Sequence, residues 1–193
     1  MKNSVKTVAK IGVLGALATL LMLIEIPLWF APSFYKIDLS EIPVLLGGFA
    51  LGPIAGVFIE LIKIVLNFFI NGTITGGIGE LSNFLIGCAL VVPASIIYRK
   101  NKSKKGAIIG LAIGILCLTV FGSLINYFII LPAYTKLMPM EAIINAGNLL
   151  NKNITNLFTF VLYATTPFNL LKGFVVSIPT FFLYKRLSKI LHI

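Results

Sequence analysis

The chain alternates long apolar runs with short polar segments, and the runs lack the two-residue alternation of a half-buried strand. Several runs approach or exceed the length of about 20 residues that a helix needs to cross a bilayer. They are longer than the strands of a membrane barrel, which have about ten residues. We therefore predict six spans, at about Val8–Ile26, Ile42–Leu51, Ile54–Ile70, Glu80–Tyr98, Ala107–Leu131 and Leu157–Leu187. The pattern predicts an all-α integral membrane protein, a six-transmembrane-helix bundle with residues 1–193 in a single transmembrane domain.

Two of the predicted spans are irregular. The second is short, because the sequence LGP at Leu51–Pro53 separates it from the third. The sixth is long, and Pro167 and Pro179 are expected either to kink it or to mark a later start. The amphipathic, asparagine-rich segment Pro132–Asn156, between the fifth and sixth spans, is expected to form a partly helical surface loop.

Composition excludes a soluble domain, since 58% of the residues are hydrophobic, only 11% are charged and the mean hydropathy is +1.01. The net charge of +10 would suit a nucleic-acid partner. The basic residues, however, lie at the ends of the apolar runs, where they anchor helices beside lipid headgroups. We therefore expect contact with membrane lipid and none with nucleic acid.

Charge also predicts the orientation in the membrane. Basic residues without accompanying acids precede the first span, fill the loop after the fourth and follow the sixth: Lys2, Lys6, Lys10, Arg99, Lys100, Lys102, Lys104, Lys105, Lys185, Arg186 and Lys189. With six spans these three segments lie on one side, which the positive-inside rule makes cytoplasmic. Both termini are therefore predicted to be cytoplasmic, and the segment Ala31–Pro43 is predicted to face outward.

Catalytic chemistry is not predicted. The one histidine, His192, stands without a nucleophile or metal-ligand spacing around it, and the sequence contains no phosphate-binding loop. The glycine-rich stretch Gly72–Glu80 lacks the preceding strand and third glycine of a dinucleotide site, and we expect a flexible outer loop there. Cys88 and Cys117 fall within predicted spans as small apolar fillers. The protein is predicted to be no enzyme, with no metal and no cofactor.

Polar residues near the outer ends of the helices are the better candidates for binding: Asn83, Asn126, Asn169 and Lys172. Asn169 and Lys172, spaced i, i+3, share a helix face, and polar groups at membrane depth usually face the bundle interior or a cavity. Carboxamides and an ammonium suit a neutral, planar solute with carbonyls and ring nitrogens. The alternative is that these residues cap helix ends or extend to the headgroups.

The first outer loop carries four aromatic residues, Trp29, Phe30, Phe34 and Tyr35. They are typical of an interfacial aromatic belt, or they form a lid over an aromatic ligand. In the second case Asp38 and Glu41 are polar contacts or brace the loop. The sequence DLSEIP is also typical of a helix start, with Asp38 or Ser40 as N-cap and Glu41 in the first turn.

Two spans carry further features. Ala9, Gly12 and Ala16 in the first span lie close together, and the small-xxx-small pair Gly12/Ala16 lets another helix approach, either in the same bundle or on a separate membrane subunit. Glu60 and Lys63 in the third span form an i, i+3 charge pair, which is tolerated where an isolated charge is not. No role is assigned to that pair.

Four stretches resemble the riboflavin-specific substrate-binding subunits, or S components, of energy-coupling-factor (ECF) transporters. They follow one another in order, and the resemblance extends along nearly the whole chain: FYKIDLSEIPVLLGGFALGPIAGVFIELIK (Phe34–Lys63), GTITGGIGELSNFLIG (Gly72–Gly87), LINYFIILPAY (Leu124–Tyr134) and TPFNLLKG (Thr166–Gly173). The specific parts are K-x-D-x-S-E-I-P and N-x-x-K.

The resemblance implies a six-helix bundle in the bacterial cell membrane that captures riboflavin near its outer face, beneath the first loop, for ATP-driven uptake. It implies as partners a transmembrane coupling subunit and two cytoplasmic ATPase subunits. Matching the family's motifs, with Tyr35 added from the lid, gives the substrate-binding residues Asn126, Asn169, Lys172, Asp38, Glu41, Asn83 and Tyr35. The family's A-x-x-x-A docking motif is present as Gly12-x-x-x-Ala16, a departure from the pattern, with Ala9 beside it.

Three other functions remain open from the sequence. These alternatives are an S component for a different vitamin, a small membrane enzyme acting on lipid, and an assembly factor without a ligand. An enzyme would need a clustered acid–base or metal set within the spans, and the sequence shows none. An assembly factor would not bind a flavin.

Overall fold

The computed structural model describes residues 2–29, 31–32, 34–73 and 75–191, with side chains for residues 5–186 of these ranges. Phe30 and His192 lie outside the described residues. The helices are α1 (Lys2–Met22), α2 (Glu41–Leu51), α3 (Pro53–Asn71), α4 (Ile78–Lys100), α5 (Lys104–Ile125), α6 (Leu131–Tyr134), α7 (Met140–Leu150), α8 (Leu157–Phe160) and α9 (Thr166–Leu191). Two π-helical turns, π1 (Asn126–Ile130) and π2 (Val161–Thr165), join α5 to α6 and α8 to α9.

The segment between α1 and α2, residues 23–40, is called the first loop. Its two short strands, β1 (Ile26–Pro27) and β2 (Lys36–Ile37), pair antiparallel with Ile26 opposite Ile37. Outside the strands, an ion pair between Lys36 and Glu25 also joins the two sides of the loop. The first loop is therefore a closed hairpin.

Five segments of the described chain are long and apolar enough to cross a membrane: Val5–Met22, Pro53–Asn71, Ile78–Lys100, Lys104–Tyr134 and Leu157–Arg186. The predicted helical membrane architecture is confirmed, with the first-loop hairpin as an addition. The remaining predicted span, the second, is α2, whose 11 residues rise only about 16 Å at 1.5 Å per residue, about half of a ~30 Å hydrocarbon core. The count of six spans stays a prediction.

The short helix α2 lies in the middle of the bundle. Its residues 41–49 are all buried, and it packs against α1, α3, α4 and α9. The predicted break after it is confirmed, because Gly52 has φ +107°, which strains other residues, and Pro53 begins α3. A Cβ at Gly52 would lie 2.9 Å from Arg99 Nη1, so the end of α2 lies beside the end of α4.

Helices α5 and α9 run antiparallel along most of their length. The Ser123 and Thr166 hydroxyls lie 2.9 Å apart at one end of the contact. Further along, the backbone of Gly173 packs against Ile115. The end of the bundle that carries the first loop is called the loop end, and the other, where α4 ends and α5 begins, is called the basic end.

Both π-helical turns lie two residues before a proline. Pro132 follows π1, and Pro167 follows π2. A proline cannot donate to the carbonyl four residues earlier and its ring crowds that carbonyl, so a widened turn upstream accommodates it. The kink or late start predicted at Pro167 is therefore a π-helical turn, while Pro179 lies within α9 without interrupting it.

The main apolar core is formed by α1, α2, α3, α4, α5 and α9, and it extends to the basic end. There the ring of Phe49 stacks on Tyr98 at a centroid distance of 4.3 Å, and Tyr184 meets both rings edge-on. A second, smaller cluster at the loop end packs Phe160 beneath α7 and Leu131. Helix α7 supplies the helical part that was predicted for the loop between the fifth and sixth spans.

Candidate ligand-binding site

Buried polar side chains are concentrated toward the loop end. Eight of them come from the first loop, α2, α3, π1, π2 and α9, and each is at most 5% exposed: Asp38, Glu41, Glu60, Lys63, Asn126, Thr165, Asn169 and Lys172. Burying a polar or charged group is costly unless it is paired. The hydrogen-bond and ion-pair partners of these eight side chains therefore indicate their roles.

The first pair joins the first loop to α9. Lys172 Nζ lies 3.7 Å from Asp38 Oδ2, and Asp38 Oδ1 accepts a hydrogen bond from the backbone N–H of Ser40 at 2.8 Å. Burial by itself would raise the pKa of Asp38, but the Lys172 and Lys63 ammoniums together with hydrogen bonds from Ser40 outweigh burial and hold that pKa below its usual value. Asp38 is therefore a carboxylate, and its charge ties the loop to Lys172.

The two asparagines meet at one glycine of α5. Asn126 Nδ2 donates to the carbonyl oxygen of Gly122 at 2.8 Å, and a Cβ at Gly122 would lie 2.6 Å from Asn169 Nδ2. Asn169 is 1% exposed, and its Nδ2 has no hydrogen-bond partner among the described residues. An unpaired buried amide is unfavourable, so the Asn169 Nδ2 group is available to donate a hydrogen bond to a ligand.

Tyr35 of the first loop covers these asparagines. Its hydroxyl lies 2.7 Å from Thr165 Oγ1 and donates to Asn126 Oδ1 at 3.4 Å. Its ring stacks on Phe168 with centroids 4.7 Å apart and planes 16° from parallel. Burial raises the pKa of Tyr35, so the phenol stays neutral. Phe34 packs edge-on against Tyr35 at 4.9 Å, which adds a second aromatic ring to the cover.

A second ionic group lies between α2 and α3. Lys63 Nζ contacts Glu41 Oε1 at 2.8 Å and Glu60 Oε2 at 2.7 Å, with all three side chains at most 1% exposed. Glu41 Oε2 and Glu60 Oε1 have no hydrogen-bond partner within the described ranges. Gly87 of α4 faces this group, since a Cβ there would lie 3.0 Å from Glu41 Oε1. We call Glu41, Lys63 and Glu60 the triad.

The predicted substrate-binding residues fall into three groups in the structure. Those brought together beneath the first loop are Asp38, Asn126, Asn169, Lys172 and Tyr35. Glu41 belongs to the triad. Asn83 is half-buried in the first turns of α4, and no hydrogen bond in the described part of the chain joins it to the others.

Two expectations about local structure change. Ser40 occupies the N-cap position of α2, but its backbone is already helical (φ −64°, ψ −26°) and its side chain makes no capping hydrogen bond. Its backbone N–H donates to Asp38. The glycine-rich stretch before α4 is braced by Glu80, whose Oε2 accepts from the hydroxyls of Thr73 and Thr75 at 3.1 Å.

The sequence does not identify several residues of the site. Lys63 and Glu60 stand out in it only as a charge pair, and no sequence pattern singles out Thr165 and Phe168, the partners of Tyr35. A usable signal was present in Pro132 and Pro167. Each of these two prolines follows a π-helical turn, and the two turns carry Asn126 and Thr165 to the site.

A cavity of about 290 Å³ opens beside the first loop, lined by Pro32 together with residues of α7, π2 and α9 such as Gly147, Tyr163 and Pro167. None of the predicted substrate-binding residues lines it. The Tyr35 ring, between Phe34 and Phe168, fills the space above Asn126. A large planar ligand therefore reaches the asparagines only when Tyr35 moves away from Phe168.

The predicted docking residues lie on the surface of α1. Ala9, Gly12 and Ala16 are exposed, and a Cβ at Gly12 would meet no described atom within 4 Å. Gly15, in contrast, packs against Ile62 of α3. Of the two alternatives for the small residues, packing within the bundle is therefore made by Gly15 and not by Gly12.

The comparisons with known proteins agree with one another. The family model described as "ECF transporter, substrate-specific component" matches residues 6–184. The "Riboflavin transporter FmnP" of Bacillus subtilis (strain 168) is 33% identical over 175 residues, which cover 90% of this chain and 87% of that protein. The "Riboflavin transporter RibU" of Staphylococcus aureus (strain TCH60) is 34% identical over 186 residues, covering 96% and 92%.

A solved structure agrees as well. It is described as "Structure and mechanism of the S component of a bacterial ECF transporter", and it matches with a TM-score of 0.76 at 34% identity, covering 99% of both chains. The fold and the sequence motifs thus lead to the same family, and this chain belongs to the substrate-specific components of ECF transporters.

Proposed function

We propose that this protein is a riboflavin-binding S component, which captures riboflavin from outside the cell for ATP-driven uptake. Two relatives at 33–34% identity carry the name riboflavin transporter. The single observation that carries the proposal is the unpaired Nδ2 of Asn169, buried beside Asn126. A buried, unsatisfied amide next to a second amide selects for a ligand with hydrogen-bonding ring edges.

The chemistry of riboflavin matches the groups beneath the first loop. The pyrimidine edge of isoalloxazine carries carbonyls and ring nitrogens, which pair with the amides of Asn126 and Asn169 and with the Lys172 ammonium. The apolar dimethylbenzene end suits the surrounding Phe168 and Phe160. The hydroxyls of the ribityl chain need acceptors, and we assign these to Asp38 and Glu41, whose Oε2 is unpaired. Asn83 is retained as an outer contact.

Tyr35 is assigned to the lid. Entry of the ligand breaks its hydrogen bonds to Thr165 and Asn126 and its stacking on Phe168. The incoming flavin can take over all three interactions, since it offers an aromatic face and polar edges. The exchange of one aromatic ring for another keeps the site closed to water before and after binding.

The orientation proposed for the chain is six spans with both termini in the cytoplasm of a bacterial cell, as one domain over residues 1–193. Support comes from the antiparallel helices. The chain reaches the first loop at the end of α1, and α9 leaves π2 toward the basic end, so the start of α1 and the end of α9 both fall at the basic end. This arrangement requires α2, although short, to count as a crossing.

The partners proposed are a transmembrane coupling subunit and two cytoplasmic ATPase subunits, because the sequence contains no phosphate-binding loop of its own. The exposed small residues Ala9, Gly12 and Ala16 suit close approach by a helix of the coupling subunit. Riboflavin is then the transported ligand. The chain itself is assigned no catalytic step and no cofactor.

The test is a calorimetric titration of the purified chain, stripped of any carried-over compound, with riboflavin. We expect saturable binding that Asn169→Ala weakens about 5- to 150-fold, the equivalent of ~1–3 kcal/mol for one lost polar partner. The matched control is Asn145→Ala on the exposed side of α7, which should leave the affinity unchanged. Binding of a different vitamin in place of riboflavin would assign the site to another S component, and equal affinities for the two alanine variants would refute the site.

A further inference from the structure

A groove of about 510 Å³ runs along the surface between α5 and α9, away from the ligand site. Its lining is apolar apart from Ser177. The small residues Ala112 and Ser177 leave a depression between the larger Leu116, Phe174 and Phe182, which are 48–69% exposed. The volume is well over ten times the ~30 Å³ that one water occupies in the liquid, and a methylene group is of similar size, so the groove can hold much of one acyl chain.

The helix faces that form the groove continue into basic residues. On α5, Lys104 and Lys105 precede Ile108 of the groove by four and three residues, which places them on the same face. On α9, Lys185 and Arg186 follow Phe182 by three and four residues. All four basic side chains are exposed, and no acidic residue lies in either stretch.

Antiparallel packing brings the basic residues of α5 and those of α9 to the same level along the bundle. The backbone of Gly173 meets Ile115 across the α5–α9 contact. Eleven residues before Ile115 is Lys104, and eleven residues after Gly173 is Tyr184, the neighbour of Lys185. Because both helices rise 1.5 Å per residue, the four cations form one cluster where the groove reaches the basic end. The N-terminus of α5, capped by Ser103, adds its positive dipole there.

We propose that this groove is a binding site for an anionic phospholipid, with one acyl chain between α5 and α9 and the phosphate among Lys104, Lys105, Lys185 and Arg186. Charge complementarity decides the occupant: a zwitterionic lipid would bring its own cation into a cluster of four cations, whereas an anionic headgroup neutralises part of it. A second protein helix would fill the apolar groove without using the cations. The site is separate from the ligand site, and it does not depend on which vitamin is bound.

The experiment uses tryptophan fluorescence, since Trp29 is the one tryptophan of the chain. In a Trp29→Phe background, Ile108→Trp places a reporter in the groove, and Ile109→Trp places one at the same depth on α5 but outside the groove lining. Each protein is reconstituted in phosphatidylcholine vesicles containing increasing fractions of brominated phosphatidylglycerol or brominated phosphatidylcholine. Bromine quenches tryptophan only on contact.

We expect the Ile108→Trp reporter to be quenched at an about three- to tenfold lower fraction of phosphatidylglycerol than of phosphatidylcholine, and the Ile109→Trp reporter to show no preference. The change Lys104→Gln should reduce the preference, and Lys104→Gln together with Lys185→Gln should abolish it. The pair Lys100→Gln/Lys102→Gln, basic positions off the groove faces, should keep it.

Two outcomes would overturn the proposal. An equal preference at both reporters would show that the basic residues attract anionic lipid to the whole surface without a site. A groove reporter that neither lipid quenches would show that protein, such as a second copy of the chain, covers the groove.

Discussion

The loop end and the basic end of the bundle are stabilised in different ways, although the same helices pass through both. At the loop end, α2 begins with Glu41 bound to Lys63, and α9 begins near the Lys172–Asp38 pair. At the basic end, α2 ends near Phe49, whose ring stacks on Tyr98. Ionic, hydrogen-bonded and stacking contacts around the first loop can exchange a protein partner for a ligand, whereas the rings at the basic end pack only on one another within the core. The difference suits a protein that rearranges at one end and keeps the other constant.

The helical geometry shows the same contrast. Both π-helical turns lie in the half of the bundle that carries the first loop, and there they present Asn126 and Thr165. Helices α2, α4 and α9 continue as regular α-helix into the basic end, even through Pro93 and Pro179. Regular turns pack closely, whereas widened turns redirect side chains at functional sites. Irregularity is thus confined to the half where side chains have to meet a ligand.

The largest expected effect comes from removing the central cation of the triad. Lys63→Met leaves Glu41 and Glu60 buried without a counter-charge, so the free energy of unfolding should fall by about 3–5 kcal/mol. Thermal unfolding of the purified protein in detergent measures this. Lys136→Met, an exposed lysine on the same side, is the control and should have no effect. An unchanged melting temperature for Lys63→Met would mean that the triad does not stabilise the loop end.

The second prediction concerns the basic end. Phe49→Ala removes a 4%-exposed ring that stacks on Tyr98. Because the lipid around an unfolded helix is as apolar as the core, only the packing and cavity contributions are lost, and we expect about 2 kcal/mol. Phe69→Ala, a 78%-exposed ring on α3, is the control for the same thermal measurement.

A measurement of riboflavin affinity on the same variant tests whether the basic end affects the site at the loop end. Phe49→Ala should lower the melting temperature and leave the riboflavin affinity of the folded protein as it is. A large loss of affinity in Phe49→Ala would show that the two ends are coupled and would remove the contrast between them.

The smallest expected effect is at the lid. Tyr35→Phe keeps the ring on Phe168 but loses the hydrogen bonds to Thr165 and Asn126, so opening of the first loop should become easier by about 1 kcal/mol. Hydrogen exchange of the amides at 35–37 should accelerate about fivefold if it reports local opening. Tyr163→Phe, an exposed tyrosine of π2, serves as the control and should leave these rates unchanged. Equal rates in Tyr35→Phe and the unaltered protein would show that the aromatic contacts alone hold the lid.

The sequence predicted those parts of the site that follow from local spacing. Asn169 and Lys172 share a face of α9 because they are three residues apart, and the structure buries both. The short helix α2 and the break after it followed from the local sequence around LGP. The partner of Lys63 was predicted only in part. Glu60, one turn away on α3, was identified, whereas Glu41 comes from α2 and is brought close by tertiary packing.

The stretch of aromatic and charged residues before α2 shows the limit most clearly. Its composition suggested a lid, yet no local pattern could say that Tyr35 lies on Phe168, which is 133 positions further along the chain. The Asp38 carboxylate was a plausible helix cap from spacing, and the structure uses it to pair with Lys172. Such assignments depend on which helix ends are neighbours, and neighbours are set by packing.

The sequence by itself determined that this is a helical membrane protein, where its helices lie and which family motifs it carries, since hydrophobic length and short-range spacing act within one helix at a time. Only the tertiary structure decided which charges neutralise one another, that two π-helical turns bring Asn126 and Thr165 to one place, and that Gly15 packs within the bundle while Gly12 faces outward. The physical reason is that a buried ionic or aromatic contact depends on two distant segments together, and the local sequence of one segment does not specify which other segment packs against it.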